Sequence, residues 1–147
     1  MASAPVHAFW RLEMRKCHLA IVATHWVARR LPVSLACEFS YNTADPLAVT
    51  VIFDSEGEYP VRWVFGRDLL ADGLTTRTGQ GDVEVWPDLG EAERPLLWIR
   101  VGHDNHTALF TVPAQPVGQW LARCYAMVAR GDEMAHVDWE ELSYLLQ

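Results

Sequence analysis

Between Leu31 and Tyr41 apolar and polar side chains alternate. Val33, Leu35, Cys37, Phe39 and Tyr41 share one face, and Ser34, Glu38 and Ser40 share the other. A period of two predicts a strand with one buried face. The same reading predicts strands over Cys17–Ala23, Leu47–Phe53, Tyr59–Phe65, Asp82–Trp86, Leu96–Val101 and Thr107–Val112. Their connections carry turn chemistry. Asp45 precedes Pro46, which drives it out of the helical region. Ser55-Glu56-Gly57-Glu58 and Gly102-His103-Asp104-Asn105-His106 read as hairpin loops. Thr75–Gln80 and the acidic stretch Asp88–Pro95 read as longer loops, and Pro87 closes the strand before the second.

Two regions depart from the strand period. Arg67–Asp72 reads as a short helical turn, with Gly73 ending it through a left-handed conformation. Val117, Trp120, Leu121, Cys124, Met127 and Val128 fall at helical spacing, and Gly131 is placed to stop that helix. Asp138 followed by Glu141 resembles a capping box opening a last helix, whose apolar face is Trp139, Leu142, Leu145 and Leu146. Strands segregated from helices predict an α+β fold. Its curved antiparallel sheet of about seven to eight strands carries a short middle helix and is covered on one side by the C-terminal helices. Residues 1–16 show little periodicity and read as a mobile arm or a short helix that Phe9, Trp10 and Leu12 could dock; residues 17–147 read as one domain.

Composition sharpens this picture in a few places. The chain of 147 residues is 50% hydrophobic, enough for a sizeable core. Its net charge of −7 argues against a general nucleic-acid binder, which needs basic residues against phosphates. Arg11, Arg15, Lys16, Arg29 and Arg30 give the N-terminal part a positive bias. Cys17, Cys37 and Cys124 are odd in number and widely spaced, as free thiols of a reducing compartment are. The apolar run Cys17–Val27 is shorter than the roughly 20 residues that span a bilayer and contains His18 and His25. A strand in a cytoplasmic protein accounts for it.

The search for chemistry finds little. His103 and His106 flank a hairpin turn without a third ligand close in sequence. Cys37 and Cys124 lie on apolar faces, where cysteine is an inert small hydrophobe. Thr78-Gly79-Gln80-Gly81-Asp82 is glycine-rich, but it leads into a strand, whereas a phosphate cradle opens a helix. No catalytic residue, cofactor site or metal site is assigned. Arg67, Asp68 and Asp72 form a charged patch that reads as a protein-contact site, against a plain local ion pair at a helix end. Of the seven tryptophans, Trp63 and Trp120 read as core. Trp86 and Trp139 read as partly exposed interface anchors. Trp98 beside Arg100 is what a single-strand nucleic-acid reading would use.

Thr43-Ala44-Asp45-Pro46, the block from Trp63 to Leu74, and Gly81-Asp82-Val83 with Trp86-Pro87 occur here in one order. In that order they resemble the SsgA-like proteins, actinomycete regulators of sporulation-linked cell division. The match runs clearly from Leu31 to Val112 and loosely through the C-terminal helices. The resemblance implies a whirly-like fold, no enzymatic activity and no catalytic residue. It also implies a homo-oligomer, with a trimer favoured, and an adaptor that recruits or controls division and cell-wall machinery at the septum. FtsZ or another SsgA-like protein is the implied partner; a single-stranded nucleic-acid-binding regulator is the alternative. The chain departs from the family pattern in its extra N-terminal residues, with Phe9 and Trp10, and in the apolar, aromatic helix from Val117 to Arg130. Both departures bear on which partner it contacts.

Overall fold

The computed structural model describes residues 15–28, 31–88, 90 and 93–136. Eight strands form one antiparallel sheet: β1 (Lys16–Val27), β2 (Leu31–Asn42), β3 (Ala48–Phe53), β4 (Val61–Gly66), β5 (Thr78–Gln80), β6 (Val83–Asp88), β7 (Leu96–His103) and β8 (His106–Pro113). Helix α1 (Arg67–Gly73) separates the two halves of the chain, and helix α2 (Ala114–Met127) follows the sheet. A short 3-10 turn spans Glu133–His136.

The strand order is β4-β3-β2-β1-β8-β7-β6-β5, two four-stranded meanders joined edge to edge. Their seam is narrow, with Thr24 opposite Thr111 and His25 opposite Phe110. The sheet is strongly curled. Strands β3 and β8 are separated by two others and would lie roughly 14 Å apart in a flat sheet. Yet the rings of Phe53 and Phe110 stack with centroids 3.7 Å apart, and His25 lies on Phe110 at 4.7 Å.

The concave face is the core. The alternation through β2 puts Cys37, Phe39 and Tyr41 inside, and β3 adds Val49, Val51 and Phe53. Val85, Leu97, Ile99 and Val112 do the same for the second meander. Helix α2 lies across this face through Val117, Trp120, Leu121 and Cys124. The fully buried Trp120 meets Phe39 edge-on at 5.6 Å.

The expected α+β architecture and curved sheet are present, with corrections in detail. The first strand continues to Val27, because its pairing with β2 runs unbroken to Val27↔Leu31. Thr78–Gln80, expected as loop, is an edge strand paired with β6. Helix α2 ends at Met127, before Gly131, which forms the following turn at φ 94°. Gly73 closes α1 without a left-handed conformation. Its role is close approach, since a Cβ there would lie 2.3 Å from Cγ1 of Val85. Trp63 packs on the core but remains half-buried. The expected final helix with Trp139 and the N-terminal arm lie outside the described residues.

Candidate protein-contact site

Arg67 opens α1, and its amide donates to the carbonyl of Leu47 at 2.8 Å. Its side chain is 1% exposed and runs beneath the end of α2. There Nη1 donates to the carbonyls of Cys124 (3.2 Å) and Val128 (2.7 Å) and to the hydroxyl of Tyr41 (3.1 Å). The carbonyl end of a helix carries partial negative charge, so a guanidinium suits it; the Cys124 carbonyl also accepts from the Val128 amide at 3.2 Å. Nη2 faces Oε1 of Glu133 at 3.3 Å. The guanidinium carbon sits 4.0 Å from the ring centre of Tyr125 and 5.0 Å from that of Tyr41. The amide of Gly131 donates to both oxygens of Glu133, at 2.7 and 3.1 Å. That amide, then Glu133's own amide and the guanidinium, hold the Glu133 carboxyl below the usual carboxylate range against the opposing cost of burial. Tyr41 in turn donates to the carbonyl of Pro46 at 3.0 Å, which ties in the Asn42–Pro46 turn.

Above this buried clasp lies a charged surface. Arg130 reaches Asp72 through Nη1 (2.8 Å) and Nη2 (2.9 Å), and its Nε is 3.4 Å from Asp68. Asp68 also accepts from the hydroxyl of Tyr125. Arg130 holds the Asp72 carboxyl low, while burial and the Asp68 bond push the Tyr125 hydroxyl up. The Asp68, Asp72 and Arg130 side chains are each about half exposed, in the range 40–53%. Two carboxylates against one guanidinium leave the patch acidic.

The sequence-based patch thus divides. Asp68 and Asp72 face solvent together, whereas Arg67 is enclosed and cannot touch a partner. Arg67 positions the helix that presents them. Neither a contact residue nor a surface ion pair describes it, because it is buried, and its ligands come from Tyr41, 26 positions upstream, and from residues 57 to 66 positions downstream. Arg130, Tyr125 and Glu133 went unread for the same reason.

Trp86 belongs to a second surface, on the convex side of the second meander. It stands directly opposite Trp98, and Trp98 stands opposite Thr111. Trp26 comes in from β1 and donates its indole N–H to Oγ1 of Thr111 at 3.0 Å. Ring centres are 5.9 Å apart between Trp26 and Trp98, and 6.1 Å between Trp98 and Trp86, whose planes are parallel within 9°. Arg77 lies over Trp86 at 4.4 Å. It shares Glu84 with Arg100, whose Nη2 is 2.9 Å away, and the Arg77 bond, ahead of the charge of Arg100, keeps Glu84 readily ionised. Beside this row opens a groove of about 470 Å³ lined by Gly79, Gln80, Gly81, Asp82, Val83, Glu84, Arg100 and Gly102. Trp26 and Arg77 were not foreseen as part of any site.

The remaining candidates carry no reactive geometry. Burial pushes the thiols of Cys37 and Cys124 up to about 12, far from a thiolate nucleophile. His103 sits 3.4 Å from Asp82 on an exposed hairpin. Among the described residues no three His, Cys, Asp or Glu side chains converge as a metal site would need, and no helix is long and apolar enough to cross a membrane.

Comparison with known proteins places this geometry. The profile of the family described as Streptomyces sporulation and cell division protein, SsgA, matches residues 35–133. The sporulation-specific cell division protein SsgB of Streptomyces coelicolor is 38% identical over 130 residues, covering 88% of this chain and 91% of the relative. The Thermobifida fusca protein of the same name is 34% identical, covering 76% of this chain and 80% of its own length. A solved structure from a study of SsgB mutations and longitudinal division in Streptomyces coelicolor superposes with a TM-score of 0.76 at 33% identity. It covers 84% of this chain and 97% of its own. An SsgA-like sporulation-specific cell division protein from Thermobifida fusca superposes at 0.80 with 27% identity, covering 92% and 98%.

Proposed function

This chain belongs to the SsgA family of sporulation and cell division proteins, and we propose on that premise that it is a non-enzymatic adaptor. It regulates sporulation-specific cell division. Its work is to recruit or control division and cell-wall proteins at the septum from the cytoplasm, with FtsZ or another SsgA-like protein as partner. The resemblance favours a homotrimer. The observation that carries the adaptor reading is the likeness to SsgB of Streptomyces coelicolor over 91% of that protein's length.

The solvent face of α1 suits such a role. A short helix that would be marginal alone is fixed from beneath by Arg67, so Asp68 and Asp72 are presented in one arrangement. Trp86 offers an aromatic anchor on the other side of the sheet. Trp139 completes the proposed contact set.

The test is an affinity capture from sporulating actinomycete cells, comparing the native chain with a variant carrying Asp68→Asn and Asp72→Asn. Recovery of division or cell-wall proteins with the native chain, and their loss with the variant, is the expected result. Capture of nucleic acid in place of those proteins overturns the reading.

A further inference from the structure

Two buried thiols meet beneath the clasp, and the adaptor reading uses neither. Cys17 stands second in β1, directly opposite Tyr41 of β2. Cys124 lies in the last turn of α2, which packs on β1. Its carbonyl accepts from Nη1 of Arg67, and the same nitrogen reaches the Tyr41 hydroxyl. Tyr41 and Arg67 thus join two positions from opposite ends of the described chain. Both cysteines are free and belong to one core cluster, 8% and 0% exposed, and their side chains share a hydrogen bond. Cys37 is outside this pair. It stands four positions along β2 from Tyr41, roughly 13 Å away at strand spacing. A disulfide bridges Cα atoms no more than about 7 Å apart.

We propose that Cys17 and Cys124 are a reversible redox site, in which an intramolecular disulfide closes when the chain meets a hydroperoxide. Cys17 is the entry point, because it keeps some exposure near the end of a strand, where opening is easiest, whereas Cys124 is sealed. The hydroperoxide delivers one oxygen to the Cys17 sulfur, its O–O bond breaks, and it leaves as an alcohol or as water. The sulfur becomes a sulfenic acid. Cys124 then gives up its proton and attacks that sulfur. The S–S bond forms, the S–O bond breaks, and the hydroxyl leaves with the proton as water. The two thiols lose two electrons and two protons in all, and the hydroperoxide takes them up.

Burial pushes the Cys124 thiol up to about 12, so alone it is a poor attacker of any molecule that must diffuse to it. A sulfenic acid on Cys17 is already beside it, so the step is unimolecular. The Arg67 guanidinium favours the thiolate as it forms. The closed bridge ties β1 to α2 next to the carbonyl that Arg67 holds, and so fastens the clasp from a second side.

This inference goes beyond the adaptor reading and does not rest on it. Its test uses the purified full chain, reduced, freed of reductant and treated with hydrogen peroxide without denaturant. Non-reducing peptide mapping by mass spectrometry should find Cys17 linked to Cys124 within one chain, and dithiothreitol should undo the link. Oxidation should raise the thermal midpoint by roughly 10 °C, because the bridge closes a long loop. Cys124→Ala should stop the reaction at Cys17, where dimedone traps the sulfenic acid. Cys37→Ala should leave the crosslink in place. The mapping of the native chain decides the matter even where a variant fails to fold. Absence of the crosslink, its formation only in denaturant, a bridge through Cys37, a disulfide between chains, or a midpoint that falls on oxidation overturns the proposal. A failed cell capture leaves this result standing, and a failed peroxide experiment leaves the adaptor reading standing.

Discussion

Arg67 and Arg77 both lay a guanidinium on aromatic rings, and the two sites have opposite consequences. Arg67 is sealed between Tyr41 and Tyr125, with its charge spread over the carbonyls of Cys124 and Val128 at the end of α2, a hydroxyl and Glu133. Arg77 covers Trp86 with its side chain 59% exposed. In the interior every lost contact exposes a buried partner to nothing, so such an arginine is structural. At the surface water replaces what is lost, so the arginine's value lies in what else binds there.

The comparison breaks first at Arg67. Arg67→Ala withdraws the guanidinium from Glu133, from the carbonyls of Cys124 and Val128 and from the Tyr41 hydroxyl, leaving Glu133 only backbone amides, that of Gly131 foremost, and the Val128 carbonyl no donor among the described residues. Removal of one partner of a buried ion pair costs about 3–5 kcal/mol. Urea denaturation followed by circular dichroism should show a loss of that size, and a shift under about 1 kcal/mol would refute the clasp. Glu133→Gln keeps its shape and should lose less.

Gly73 comes next. It lets α1 press on β6, and an alanine Cβ would lie 2.3 Å from Val85 Cγ1. Gly73→Ala should destabilise by about 1–3 kcal/mol through overpacking. Val85→Ala in the same chain should recover part of that loss. Full additivity of the two changes would argue against the contact.

These two residues also mark how far the sequence could be read. The alternation from Val33 to Tyr41 identifies a strand and its inner face without any tertiary knowledge, because sheet burial follows parity. The short strand Thr78–Gln80 lacks that signal: three residues with a central glycine acquire their conformation only by pairing with β6. Gly73 was legible as a helix end, but its true constraint is a side chain on another strand. Parity alone places Trp86 and Trp98 on one face. That Trp26 joins them depends on β1 lying against β8 at a two-pair seam, which no local pattern specifies. Arg67 is the limiting case, since a charged residue at a helix start is ordinarily exposed.

Acid should test the Glu133 side of the clasp together with the surface pair above it. The carboxyls of Glu133 and Asp72 are held low in the folded chain, the first by the Gly131 amide and the second by Arg130. A depressed folded value contributes stability that is fully present above the unfolded value. That contribution is lost as pH falls through the folded one. Stability should therefore be flat above the ordinary carboxylate range of about 4 to 4.5 and decline below it. In Glu133→Gln the decline should be shallower, read from urea midpoints across that window. An unchanged slope would remove Glu133 from the account.

The smallest effect on the fold is expected at Arg77. Its partners Glu84 and Trp86 both keep access to water, and Arg100 still holds Glu84 at 2.9 Å when Arg77 is gone. Arg77→Ala should leave the urea midpoint within the scatter of repeat measurements. What should change is the Trp86 environment, since the cation over its ring is removed and the indole becomes more exposed. A red shift of tryptophan emission with an unchanged midpoint would establish that this arginine covers the row without supporting the sheet. A midpoint that falls as far as in Arg67→Ala would erase the contrast between the two sites.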